Sequence, residues 1–466
     1  MSPSGVQRHA VVIGGSIAGL TAARILAGYF DHVTLLERDE YPGEAEFRSG
    51  VPQGRHLHLL LMRGRQLFER LFPDIGADFA AAGANDIDLV GDALWLMPGG
   101  WLPRARSDYH TFMATRPVFD TVIRRRLAAL GNVSIRERIE VTGLLASPDR
   151  SRVTGVTLRQ RGGDGAESPL DADLVVDCSG RSARQPRWLE DLGYQPPKDT
   201  IINSFVGYAS RIYAIPEGWN ADWKSLFFMG QPPQNPRGGG LFPVEGNRWV
   251  VTLAGAAKQY PPTDEEGFMA FARSLRSPLL ADSIARAEPL TPIYGYQRTE
   301  NRLRHYEKLE RLPEQLVALG DAVCAFNPVY GQGMTTAALG ALVLERCLRD
   351  DPDPSRPGWA ARFYRRLTAS NSPVWLMSTG EDFRYPTTEG GARTPLTRAL
   401  HWYLDQVTAS SSEEFNVALG LMAVVHLLKP PASLFSPPIA ARVLRHALRR
   451  QPAAPLPAAP TWMAQS

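Results

Sequence analysis

Residues 9–37, HAVVIGGSIAGLTAARILAGYFDHVTLLE, constrain the fold more than any other stretch. A short apolar run from Ala10 to Ile13 leads into Gly14-Gly15-Ser16-Ile17-Ala18-Gly19, which opens a helical stretch. A second apolar run from Val33 ends at Glu37. Strand, turn, helix and strand in so short a span form a βαβ unit, hence a parallel sheet with a right-handed crossover. Such a turn asks for glycine at three places: for the tight turn, for close approach of a pyrophosphate, and for packing of the helix on the strand. The middle place holds Ser16, whose hydroxyl suits a phosphate at a helix N-terminus. Glu37, followed by Arg38, ends the second strand, where a carboxylate accepts from ribose hydroxyls. An acid there favours an unphosphorylated ribose, so FAD or NAD rather than NADP. The bland alternative is an ordinary strand-to-helix turn with a solvated glutamate.

A second constellation separates those two cofactors. LVALGDAVCAFNPVYGQGM places Asp321 after a buried-strand pattern (Leu316 onward), and Gly331-Gln332-Gly333 then opens a long apolar helix. A dinucleotide held only at the first turn leaves this site without a role. A flavin does not, because its ribitol needs an acceptor such as Asp321. The N-terminus of the helix suits negative charge developing on a reduced flavin ring. Taken alone, the same residues also read as a glycine-capped core helix.

The remaining chain divides coarsely. Helical stretches are expected from Arg55 to Leu71 and from Arg116 to Leu130, with Pro117 in the first turn. RQRGGDGAESP marks an exposed hairpin tip, and LVVD (Leu174–Asp177) a strand in which Asp177 reads as a terminal cap. Residues 203–255 are strand-rich, with Glu245 to Asn247 as a tight turn. These patterns divide the chain into a first FAD-binding part (1–200), an antiparallel-sheet substrate domain (201–300), a last FAD-binding part (301–350), a helical segment (351–450) and a disordered tail (451–466).

Composition excludes several classes. Of 51 basic residues five are lysine, net charge is +3, and no long basic run gathers the surplus, so nucleic acid is not an expected partner. Three cysteines make no disulfide framework, the N-terminus reads as carrying no signal peptide, and the longest apolar run (Ala418 to Leu428) is too short to span a bilayer. A cytoplasmic protein is expected. His56 and His58 have no local carboxylate or cysteine beside them, so they read as structural and no metal is expected. The basic amphipathic stretch Ile439 to Arg450 reads as a docked terminal helix in preference to one lying on a membrane.

In combination, VVIGGSIAGL, Glu37, LVVDCSGRS and LGDAVCAFNPVYGQGM resemble FAD-dependent monooxygenases of the p-hydroxybenzoate hydroxylase type. GVPQGRHLH (Gly50–His58), LVVDCSGR and the run from Tyr296 to Asn301 leading to NPVYGQGM look more closely like FAD-dependent epoxidases of polyether polyketides. The resemblance spans about residues 8–350 and departs at Ser16 and at Asp177-Cys178-Ser179-Gly180. It implies an α/β fold, with a Rossmann-like FAD-binding domain of the GR2 type interleaved with the antiparallel sheet. It also implies that Glu37 binds the adenosine ribose, that Arg55 and Arg116 reach the ribose and pyrophosphate, that Asp321 holds the ribitol, and that Pro328 with Gly331, Gln332, Gly333 and Met334 lines the ring.

In that family oxygen adds to reduced flavin as a hydroperoxide, with electrons from NAD(P)H directly or through a flavin reductase. The expected function is insertion of one atom of O2 into a hydrophobic substrate, foremost alkene epoxidation of polyketide or terpenoid type. Alternatives are aromatic hydroxylation and reduction of isoprenoid double bonds; a Rab-escort-type role is disfavoured by the intact Asp321 and GQG loop. No residue announces itself as a base for phenols, which favours epoxidation. Related flavin halogenases use an N-terminal lysine and a Trp-x-Trp-x-Ile-Pro motif; the first lysine here is Lys198 and the motif is missing. Of the aromatics Phe205, Tyr208, Tyr213, Phe227, Phe228, Phe242, Trp249, Tyr294 and Tyr296, about half are expected to face a ligand because strand side chains alternate, and Phe205, Tyr208, Phe228, Phe242 and Tyr296 are the candidate substrate contacts.

Overall fold

The computed structural model describes residues 7–449, 456 and 458–461. Its centre is a five-stranded parallel sheet in the order Leu316–Ala318, Leu174–Asp177, His9–Ile13, His32–Leu36, Val133–Arg136. The inner strands are almost wholly buried apolar runs, as strands covered on both faces must be. Helix Ile17–Leu26 leaves the first strand at Gly14 and packs against helices Gly333–Asp350 and Arg116–Ala128. Alanines such as Ala22, Ala23, Ala337 and Ala338 let these backbones approach closely. A three-stranded antiparallel sheet (Ile139–Ala146, Val153–Gln160, Glu167–Asp171) packs on the parallel one, and the expected hairpin tip lies between its last two strands.

The second body is a seven-stranded sheet. Strands Tyr294–Tyr296, Gly207–Ala214, Arg248–Gly255, Arg237–Val244 and Ser225–Phe228 form its antiparallel part. Gly246 and Asn247, both with positive φ, make the turn at 245–247. The sheet does not end there. Ala93–Met97 adds to Ser225–Phe228 in parallel, and Gly100–Trp101 completes the edge, so residues assigned by sequence to the first FAD-binding part belong to this sheet. Alternation divides its faces: Trp95, Ile212, Phe242 and Val250 pack under the C-terminal helices, while Leu94, Tyr213, Leu241 and Trp249 pack on helices Glu265–Arg273 and Leu279–Ile284.

Helices Trp359–Asp382, Pro395–Ser411, Phe415–Val425 and Pro437–Leu448 close the chain. Most of the tail expected to be disordered lies outside the described residues; Leu456 and Ala459 rest on the sheet face that carries Trp249. The helix expected from Arg55 forms only from Met62, as Met62–Leu71. Before it, residues 56–61 run extended, because Leu57 N–H donates to Thr252 Oγ1 and Thr111 Oγ1 donates to the Leu60 carbonyl. This segment carries His56 and His58 along the wall between the two bodies.

Candidate active site

One cavity of about 1500 Å³ runs from the first glycine turn, past the GQG loop, to the C-terminal helices. Single-ligand pockets span about 300–1,000 Å³, so there is room for a large cofactor and a second molecule.

The glycine turn is built by contact. Gly14 has φ +98°, and a Cβ there would lie 2.7 Å from the Cys178 carbonyl oxygen. At Gly15 a Cβ would lie 1.8 Å from Tyr41 Oη, and at Gly19 it would lie 1.7 Å from the Gly14 carbonyl oxygen. Gly14 to Ala18 line the cavity; Gly19 does not, because it serves the packing of the helix against the turn. Ser16 Oγ accepts from Arg116 Nη2 at 2.7 Å, and Asp120 holds Arg116 through Nε at 2.8 Å. A guanidinium fixed at the start of a helix beside backbone N–H groups has the charge and donors to hold a diphosphate.

Glu37 and Arg38 both face the cavity. Glu37 Oε2 accepts from Gly15 N–H at 2.8 Å and lies 3.0 Å from Arg48 Nη1, and Oε1 accepts from Asp39 N–H at 2.9 Å. A carboxylate has about four lone-pair sites, so three are engaged and one remains toward a ribose hydroxyl. Arg48 is one residue that the sequence does not announce. Its guanidinium, 8 % exposed, bridges Glu37 and Asp39, donates to the Gly15 carbonyl at 3.2 Å and stacks on Tyr41. No periodicity marks it, since it stands in the irregular stretch after the second strand. Arg55 is not brought to the turn. It points away from the cavity, over the rings of Phe47 and Tyr294 at 5.2 and 4.4 Å, where cation–π contact replaces the diphosphate contact expected of it.

Asp321 lies on the same cavity, brought there because Gly320 adopts φ +66° and packs on Ala18. Arg181 Nε approaches Asp321 Oδ2 at 3.8 Å. Burial pushes the Asp321 carboxyl above its usual range, while Arg181, Arg116 and Arg304 pull it back. Arg181, a second arginine missed by sequence, also donates to the carbonyls of Glu300 and Phe326 and so braces the loop before Pro328. Pro328 and Gly331 to Met334 line the cavity, with Gly331 left-handed at φ +67°. The first N–H groups of helix Gly333–Asp350 have no partner within the helix and lend partial positive charge there. Under this loop Asp382 accepts from Asn301, Asn327 and Tyr330, and burial raises it to about 7. Asp177 is fully buried and caps Ser179 away from the cavity.

Tyr208, Phe228 and Tyr296 line the far part of the cavity, joined by Phe227, Met229, Met377 and Met422. Two candidates do not. Phe242 is 1 % exposed, packed in the core against Phe227, and Phe205, held at φ +53°, carries Lys258 over its ring. His56 and His58, read as structural, both face the cavity. His56 Nδ1 bonds Ser210 Oγ at 2.7 Å, and Ser210 continues to Thr252 at 2.6 Å. Burial, with Arg55 nearby, lowers His56 to about 4; burial, with Arg116, lowers His58 to about 3.

A βαβ turn with a terminal acid, an Asp321–GQG wall and a shared cavity define a dinucleotide-binding flavoprotein. The donors fit FAD: a glycine cradle and Arg116 for the pyrophosphate, an acid for the ribose, Asp321 for the ribitol and a helix N-terminus for the ring. The chain belongs to the FAD binding domain family, which matches residues 7–349. It is a flavin-dependent oxidoreductase of the monooxygenase superfamily. Protein Rv3254 of Mycobacterium tuberculosis is 34% identical over 456 residues, covering 95% of this chain and 94% of that one. Kynurenine 3-monooxygenase of Salinispora arenicola is 26% identical, covering 74% of each chain. Among solved structures, a flavoprotein/dehydrogenase from Cytophaga hutchinsonii superposes with TM-score 0.67 at 14% identity, over 95% of this chain and 100% of that one. The flavin-dependent brominase Bmp2 gives 0.66 at 15%, also over 95% and 100%. At such identity these two define the fold alone.

Proposed function

We propose that this enzyme places one atom of O2 into an apolar substrate, foremost by epoxidising an alkene, the other atom leaving as water with electrons from a reduced nicotinamide. The observation that carries the reading is the continuation of the FAD cavity, beyond the GQG loop, into a chamber of aromatic, methionine and leucine side chains. FAD, when bound, supplies the activation of oxygen. The protein's own part is to hold and to dry. Arg116, Glu37 and Asp321 fix the cofactor; Tyr208, Phe228 and Tyr296 from the sheet and Met377 and Met422 from the helices exclude water around the substrate. The similarity to kynurenine 3-monooxygenase supports oxygen insertion but carries no substrate with it.

A second reading, hydroxylation of a phenol, is favoured by His56. In the tautomer that donates from Nδ1 to Ser210, Nε2 is left as an acceptor, and a group lowered to about 4 is neutral at ordinary pH, so it can take a hydrogen bond from a phenol and orient it without removing the proton. Epoxidation needs no such acceptor. Oxygen uptake with NADH or NADPH, followed by mass spectrometry of products formed under labelled O2, tests both. One labelled oxygen per product is expected; saturation of the alkene without oxygen would contradict the proposal. His56→Gln should leave epoxidation within a few-fold and lower phenol hydroxylation by about tenfold, the loss of one orienting hydrogen bond.

A further inference from the structure

Nine large hydrophobic side chains are exposed among the described residues, and seven of them lie between Leu376 and Leu448. Helix Pro437–Leu448 is apolar on two opposite faces. Its inner face presents Val443, fully buried, and Ile439, which packs on Gly420 so closely that a Cβ there would lie 2.7 Å from Ile439 Cδ1. Its outer face presents Ala441, Leu444 and Leu448 at three- and four-residue spacing, with Leu444 48 % and Leu448 85 % exposed. A helix facing water should carry polar groups there.

Exposed Arg445 and Arg449 flank this stripe, and neither has an ion-pair partner among the described residues. Packed against this helix, Pro395–Ser411 repeats the pattern: Leu396 is 78 % and Trp402 54 % exposed, and Arg393 and Arg398 beside them also lack an ion-pair partner among the described residues. Leu396, together with exposed Leu376 and Phe435, lines the cavity, which therefore opens to the outside through this apolar rim. Among the described residues no helix is long and apolar enough to cross a membrane.

We propose that these two helices dock on the surface of an anionic lipid bilayer, with Leu444, Leu448 and Trp402 at the headgroup boundary, arginines against lipid phosphates, and the cavity mouth facing the membrane. Unpaired cations around an exposed apolar stripe complement such a surface in both charge and polarity. Water-filled solvent complements only the first, and a second copy of this cationic face complements only the second. Docking is read without turnover, so its failure leaves the oxidoreductase reading standing.

The test is co-sedimentation of the full-length, FAD-loaded protein with vesicles of phosphatidylcholine containing about one-third phosphatidylglycerol, against phosphatidylcholine alone. The protein should pellet with the anionic vesicles and be released by salt. Leu444→Glu with Leu448→Glu should lower partitioning at least about tenfold, with flavin content and elution volume unchanged. Leu290→Glu, at a 45 % exposed leucine outside this region, should leave it intact. No pelleting with anionic vesicles, equal loss in the control, or no loss in the double variant would overturn the proposal. So would concentration-dependent self-association that the double variant abolishes, since the face would then pair two copies.

Discussion

Gly19 lies so close to the Gly14 carbonyl that one added methyl group must displace backbone, not a side chain. Gly19→Ala should therefore lower the melting temperature through overpacking of about 1–3 kcal/mol or more, even in protein stripped of flavin. A melting curve equal to the parent's would show that the helix shifts freely on its strand. Residues of this kind were legible in the sequence because conformation and contact narrow them to one amino acid. The positions of Glu37, Arg116 and Asp321 on the cavity were legible because they stand at fixed places beyond a strand end or at a helix start. Arg48 and Arg181 were not. Arg48 stands on irregular backbone and Arg181 in the single 3-10 turn Gly180–Ser182, and only the fold places Arg48 between Glu37 and Asp39 or Arg181 against Phe326. Arg55, expected at the diphosphate, lies instead over two aromatic rings off the cavity wall, a contact that its sequence neighbours do not announce.

Elements whose hydrophobic period matched their final burial were readable, among them His9–Ile13, Ile17–Leu26, Arg116–Ala128 and Gly333–Asp350. The extended segment 56–61 was not, because LHLLL suits a helix and only its bonds to Thr252 and Thr111 draw it straight. His56 reads as structural because no carboxylate or cysteine stands beside it in sequence, and only the fold brings Ser210, 154 residues away, to its Nδ1. Residues 93–97 were overlooked for a related reason: their strand is completed by Ser225–Phe228, more than a hundred residues away. The C-terminal helices form a wall rather than an appendage. Trp95, Phe242 and Val244 share one core with Val417, Leu421 and Met422. A chain ending at residue 358 leaves that sheet face bare, and it should elute as aggregate or bind a hydrophobic dye strongly. A soluble, dye-silent truncated monomer would mean that the two layers are independent.

The molecule as a whole carries a pH signature. Burial lowers His56 to about 4 and both His58 and His426 to about 3, whereas unfolded histidine titrates near 6.5. Unfolding then takes up protons in that window. The stability these groups contribute is complete above about pH 6.5 and is lost as pH falls toward 4 and 3. Asp382, raised to about 7, acts in the opposite sense: it favours the fold at low pH and loses that contribution as pH rises from about 4 to 7. Asp177, Asp321 and Glu314, raised by burial, act in the same sense as Asp382, so the share of the histidines is read by removing one of them. Between pH 6.5 and 4 the melting temperature of His426→Gln, at a fully buried site away from the cavity, should fall less on acidification than the parent's; equal slopes would assign the pH dependence to other groups.

Both glycine-bearing loops, the parallel sheet and helix Gly333–Asp350 converge on one cavity, and everything proposed for its chemistry depends on FAD lying there with its ribitol at Asp321. The most direct measurement is the flavin released per chain on denaturing purified Asp321→Ala beside the parent, with far-ultraviolet circular dichroism of both. Near one FAD per parent chain is expected, with at least about a tenfold loss in the variant, an unpaired hydroxyl set costing 1–3 kcal/mol or more, and superimposable spectra. A fully flavinated Asp321→Ala protein would contradict the placement of the cofactor.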